Sequence, residues 1–174
     1  MSQDIKFMEE ALVMAEQAYD RGEFPVGCII VRKGRIIARG HRNGTVEEQG
    51  RFSEIDHAEI RALKSMEEAG LGIPQGGRDD TTLYCTMEPC LMCYAAILLS
   101  GIQRIVYAYE DAMGGGTRCD FSKMPPLYRE SRVQVVGGIC RQKSLDLFYN
   151  FFNKEKNLYW KDSFLERYTL KQKV

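Results

Sequence analysis

The stretch TTLYCTMEPCLMC, residues 81–93, decides the fold. Residues 81–86 form a short run of β-branched, aromatic and apolar side chains after a glycine-rich stretch, the pattern of a buried strand. Pro89 closes it, because a proline lacks the N–H that a strand ladder needs yet suits the first position of a helix. The almost wholly apolar run from Cys90 to Ser100 predicts that helix. Cys90 and Cys93 stand three apart, so both sulfurs share one helical face and can grip one ion.

Working outward, residues 103–108 predict the next strand, Gly114-Gly115-Gly116 a flexible turn and residues 132–136 a further strand. Residues 145–152 give a helical face, and residues 158–170 one more amphipathic helix. Upstream, Asp4 is placed to cap a helix whose apolar positions Phe7, Met8, Leu12, Ala15 and Tyr19 recur at helical spacing, with Gly22 ending it. Residues 25–31 and 35–38 flank Lys33-Gly34 as a hairpin. Residues 41–54 read as a polar loop long enough to suggest a function. A helix then follows Asp56 to about Ala69, and residues 70–80, with four glycines and Pro74, form a loop. Helices alternating with strands in this way predict one three-layer α/β/α domain over residues 1–174, with no internal repeat.

Composition narrows the function classes. At 174 residues, 44% hydrophobic and 28% charged, the chain has the make-up of an ordinary globular domain. No apolar run approaches the ~18 residues of a spanning helix, and the charged start MSQDIKFMEE lacks a signal-peptide core. A cytoplasmic location and no membrane partner are therefore expected. The 24 basic residues equal the 24 acidic ones, which argues against a broad coat for nucleic acid but leaves room for a local basic patch. In that setting the six cysteines, Cys28, Cys85, Cys90, Cys93, Cys119 and Cys140, read as thiols rather than disulfides.

Candidate chemistry concentrates in two segments. His57-Ala58-Glu59 and Pro89-Cys90-Leu91-Met92-Cys93 each lie at a predicted helix start, where the helix dipole favours thiolates. His57 completes a set of one imidazole and two thiolates, which leaves a fourth zinc position for water. An ion there lowers the pKa of its water toward neutrality. Glu59, two residues past His57, is placed to carry protons without being a ligand. Plainer readings exist. Asp56 and Glu59 fit a capping box, and Cys-x-x-Cys alone is equally a redox pair. Cys85 offers a third sulfur for a closed, purely structural zinc site, although in its apolar strand a small buried thiol needs no metal. Asn43-Gly44 also fits an ordinary turn.

His-x-Glu followed by Pro-Cys-x-x-Cys is a signature of zinc nucleobase deaminases. On these residues the chain resembles the cytidine deaminase-like superfamily, in the branch holding bacterial tRNA adenosine deaminases, guanine deaminases and free cytosine deaminases. Phe24-Pro25-Val26-Gly27, Gly40-His41, Thr82-Leu83-Tyr84, Glu88, Ala95-Ala96-Ile97 and Gly101-Ile102 extend the resemblance over most of the chain. It implies a mixed five-stranded sheet flanked by helices and a homodimer. It also implies one Zn2+ per chain on His57, Cys90 and Cys93, with Glu59 as proton shuttle. The family's ring-binding Asn maps to Asn43, although His41-Arg42-Asn43 carries an extra residue.

Glu88 resembles the purine-acting members. The tail Tyr159-Trp160-Lys161-Asp162 with Phe164 is similar to segments that close over small free bases, which makes Trp160 and Phe164 candidate ring covers. Lys154, Lys156, Lys161, Arg167, Lys171 and Lys173 are available to tRNA, but Glu155, Asp162 and Glu166 interleave them as on a solvated face. The expectation is hydrolytic deamination of a free nucleobase or nucleoside. Wobble-adenosine deamination in tRNA ranks second, and a non-catalytic protein with a zinc site of three cysteines and one histidine third. The sequence leaves the base, the dimer interface and the roles of Cys119 and Cys140 open.

Overall fold

The computed structural model describes residues 2–46, 52–74, 80–155 and 157–172. Its elements are α1 (Gln3–Asp20), β1 (Gly27–Arg32), β2 (Arg35–His41), α2 (Ala58–Glu68), β3 (Thr81–Met87), α3 (Leu91–Leu99) and β4 (Arg104–Tyr109). Then come α4 (Pro126–Arg129), β5 (Gln134–Val136), α5 (Arg141–Phe152) and α6 (Phe164–Lys171). The strands form one mixed sheet in the order β2-β1-β3-β4-β5. β1 is antiparallel to both neighbours, whereas β4 is parallel to β3 and β5 to β4. Because β1 opposes β2 and β3 alike, those two run in the same direction, and β4 runs with them. The C-terminal ends of β2, β3 and β4 therefore share one rim, where open α/β sheets place their sites.

The pleat sorts side chains to two faces. Cys28, Ile30, Leu83, Cys85, Ile105 and Tyr109 join a cluster with α2, Ile97 of α3, the phenylalanines of α5 and Leu165 of α6. Ile29, Val31, Tyr84, Val106 and Ala108 instead meet Phe7, Met8, Ala11 and Met14 of α1. Helices thus cover both faces of a sheet whose central strand β3 is buried throughout. The hairpin is as expected: Lys33 (φ 49°) and Gly34 (φ 74°) both take the left-handed conformation that a tight two-residue turn requires. Gly40 matters for closeness of approach, since a Cβ there would lie 2.2 Å from the Ala58 carbonyl oxygen. That contact seats the first turn of α2 directly on β2. Among the described residues no helix is long and apolar enough to cross a membrane.

Several boundaries differ from expectation for identifiable reasons. Ser2, not Asp4, caps α1, its Oγ accepting from the Ile5 N–H at 3.4 Å. Asp4 serves the tertiary structure instead, taking both Arg104 Nη groups at 2.8 Å and the Tyr84 hydroxyl at 2.9 Å. Cys90 is the N-cap of α3, which leaves Pro89 one residue outside the helix. α5 starts at Arg141, four residues early, its first turn wholly polar, with Ser144 buried and its hydroxyl donating to the Thr86 carbonyl at 2.6 Å. α6 begins only at Phe164: Trp160 and Asp162 have positive φ, which interrupts a helix, and Ser163 caps the new one. The short α4, opened by Pro126, had no expected counterpart. Parts of the 41–54 and 70–80 loops, together with Lys156 and Lys173, lie outside the described residues.

Candidate active site

Two helix starts meet at the shared rim. His57 is the N-cap of α2 and Cys90 that of α3, with Cys93 one turn into α3. His57 Nδ1 lies 3.6 Å from Cys90 Sγ and 3.4 Å from Cys93 Sγ, and donor atoms of all three residues fall within 4.8 Å of one another. Zinc bonds of about 2.0–2.3 Å place neighbouring donors of a tetrahedral set roughly 3.3–3.8 Å apart. The three residues fit such an ion. Hydrogen bonds from Cys93 and His57 outweigh burial and hold the Cys90 thiol down to about 4, while Cys93 is pushed up as the proton holder of the pair. The lowering of Cys90 favours its thiolate, the form that binds metal. Cys85 stands outside this donor group. Its buried thiol belongs to the residue paired across the strands with Cys28, and both are pushed up by burial. The closed site of three cysteines and one histidine is therefore not the arrangement seen.

Glu59 occupies the first turn of α2 and is only 3% exposed. Burial raises its pKa despite the nearby His57, a condition that suits a carboxyl group to holding and releasing a proton. The capping-box alternative is not realised, because the N-cap is His57 and it makes no side-chain cap bond. Glu59, His57 and Cys90 all line a cavity of about 160 Å³.

Of the remaining sequence candidates, Glu88 and Trp160 line the same cavity, whereas Asn43 and Phe164 are not among its lining residues. Asn43 is fixed through its backbone, its carbonyl accepting from Arg42 Nη1 at 2.9 Å. Phe164 stacks on Tyr168 with ring centroids 6.3 Å apart. Glu88 is buried and accepts from the Asp111 N–H at 3.2 Å and from the Thr117 hydroxyl, so it fixes the loop after β4. Arg42, Asp111 and Tyr159 also line the cavity; sequence reasoning gave Arg42 and Asp111 no role and quoted Tyr159 only within the aromatic tail. Arg42 is 2% exposed, donating to Ser53 O at 2.8 Å and lying 3.5 Å from Glu54 Oε2 and 3.4 Å from the Tyr159 hydroxyl. The only forewarning was its position inside a motif that departs from the family spacing.

Three convergent donors beside a buried carboxyl group in one cavity fit a hydrolytic metal site, and comparison with known proteins makes the class specific. The family model for the cytidine and deoxycytidylate deaminase zinc-binding region matches residues 1–109. The chain belongs to that family of zinc-binding deaminases.

It is 34% identical over 148 residues to the tRNA-specific adenosine deaminase of Streptococcus pyogenes serotype M18 (strain MGAS8232), covering 85% of this chain and 89% of that protein. It is 32% identical over 157 residues to the tRNA-specific adenosine deaminase of Bacillus subtilis (strain 168), covering 88% of this chain and 91% of that protein. A solved structure from work on A-to-I editing by tRNA:A34 deaminases superposes with a TM-score of 0.66 at 33% identity, covering 82% of this chain and 98% of that one. These likenesses favour the tRNA expectation over the free-base one.

Proposed function

We propose that this chain, acting as one domain over residues 1–174, hydrolytically deaminates adenosine at the wobble position of a transfer RNA. The carrying observation is the convergence of His57, Cys90 and Cys93 beside buried Glu59, in a chain 32–34% identical to proteins named for that reaction. His57, Cys90 and Cys93 would hold the zinc ion, which when bound supplies a water acidified toward neutrality. Glu59 would take a proton from the attacking water on a carboxylate oxygen and deliver it to N1 of the purine as the water oxygen bonds to C6. A second proton, taken by Glu59 from the new C6 hydroxyl group and passed to the amino group, would let the C6–N bond break, so that ammonia leaves and C6 keeps a carbonyl oxygen. Trp160 bounds the ring, and Glu88 holds the loop that carries Asp111. Asn43, next in the chain to the cavity-lining Arg42, is assigned a contact to the edge of the ring.

All six cysteines are free, which supports a cytoplasmic setting. The exposed apolar side chains Leu91, Met92 and Leu99 on α3 give a homodimer a face to cover, and sedimentation at micromolar concentration tests it. Deamination of a free base is the second reading, favoured by one observation: Tyr159, Trp160 and Leu165 of the C-terminal segment line the cavity. The tail lysines do not argue for RNA as strongly as their number suggests, since Lys154 sits 3.5 Å over the Tyr19 ring. The discriminating assay offers an anticodon stem-loop, adenosine, guanine and cytosine to the zinc-loaded protein. Inosine formed in the stem-loop is expected. Ammonia from guanine or cytosine, with the stem-loop untouched, transfers the assignment to the free-base reading.

A further inference from the structure

A second cleft adjoins the catalytic cavity. It is lined by Thr45, Phe52, Glu54, Leu158, Tyr159 and Trp160, and it shares Glu54, Tyr159 and Trp160 with the cavity wall. Trp160 therefore forms part of both sites, and its placement is constrained. Its φ of 55° lies in the left-handed region, a conformation unfavourable for a non-glycine residue and concentrated at functional positions. Tyr159 fixes the segment from below, its hydroxyl donating to Glu54 at 3.1 Å and its ring meeting the Trp160 ring edge-on at 5.7 Å. Beside this pinned indole, Phe52 is 57% exposed and Trp160 is 43% exposed. Exposed rings flanking a cleft are unfavourable surface unless something apolar and flat covers them.

From this continuity we infer that the cleft is the subsite for the base of a nucleotide neighbouring the target in the RNA strand. The inference rests on the RNA reading above. Loop nucleotides are read with their bases splayed out and stacked on aromatic side chains, which needs no sequence-specific hydrogen bond. The net charge of zero fits such a mode, because stacking supplies affinity where excess lysine and arginine do not. A free base fills only the catalytic cavity and leaves the cleft unused, so the cleft distinguishes a polymer from a monomer.

Trp160 is the only tryptophan in the chain, so its emission reports on this wall alone. The test titrates the zinc-loaded protein with adenosine and with a trinucleotide carrying adenosine at its centre, in wild type and in Phe52→Leu, which keeps apolar bulk but removes the ring face. The trinucleotide is expected to bind tighter than adenosine in wild type. Loss of one stacked base, worth about 1–3 kcal/mol, should weaken trinucleotide binding and raise the stem-loop KM roughly five- to hundred-fold, with kcat and adenosine binding unchanged. Stem-loop deamination with an unaltered KM in Phe52→Leu overturns the subsite and leaves the RNA reading intact. No stem-loop deamination, with equal binding of adenosine and trinucleotide, overturns both.

Discussion

Tyr159 donates its hydroxyl hydrogen to Glu54 Oε2 at 3.1 Å, joining the segment ahead of α6 to the loop ahead of α2 across 105 residues of chain. Buried Arg42 sits behind the pair, 3.4 Å from the same hydroxyl. The cavity wall formed by the C-terminal segment is therefore held by a hydroxyl group as well as by ring packing.

Tyr159→Phe should separate these contributions. The ring keeps its contact with Phe24, 5.4 Å between centroids, and Arg42 keeps its bonds to Asn43 O and Ser53 O. Loss of one hydroxyl with a half-exposed partner costs about 0.5–1.5 kcal/mol of stability. Steady-state kinetics should show a several-fold higher KM and nearly unchanged kcat. A kcat that collapses while KM holds would assign the hydroxyl to the reaction itself.

Metal analysis of two cysteine variants tests the donor set. Cys93→Ser should lose zinc and activity together, because two remaining donors seldom retain the ion against a chelator. Cys85→Ala should keep one ion per chain and remain active, with only the modest cost of a small core cavity. Zinc loss from Cys85→Ala would restore the structural-site interpretation.

Glu59→Gln should leave zinc content unchanged and lower ammonia release by about 10²–10⁴, the span attributed to a positioned acid–base group. Near-normal turnover in this variant would mean that another group moves the protons.

Acid stability follows from Glu110. Burial works against its charge, but the Arg141 guanidinium, with Nε at 2.8 Å, and the Tyr168 hydroxyl at 2.7 Å hold the carboxyl down to about 2, against an ordinary 4.5. A depressed carboxylate pKa stabilises the fold fully above the unfolded value, and that contribution disappears as pH falls from about 4.5 toward 2. Melting temperatures of wild type and Glu110→Gln should therefore differ most above pH 5 and converge on acidification. A gap that stays constant with pH would show that Glu110 acts by packing alone.

The parts of this molecule readable from sequence are those governed by neighbours in the chain. The Lys33-Gly34 turn, the strand before Pro89 and the three-residue spacing of Cys90 and Cys93 follow from local stereochemistry and short periodicities, whereas the grouping of His57 and Glu59 with that cysteine pair rests on the resemblance to zinc deaminases. The first cap was misread because Asp4 answers to Arg104, a hundred residues away. The late start of α6 depends on two positive φ angles that residues 158–163 do not advertise. The contact between Arg42 and Tyr159 was not foreseen for the same reason, since it exists only where distant segments meet.

The strand directions described above also divide the molecule into a working rim and an idle one. The 33–34 hairpin turn and the approaches to β3 and β4 lie at the far side, some 20 Å of strand away from the metal donors by the usual rise per residue. Tags, linkers or a fused partner introduced there should leave turnover alone. Loop exchanges after β2, β3 or β4, by contrast, are where a designer would retune which molecule is processed.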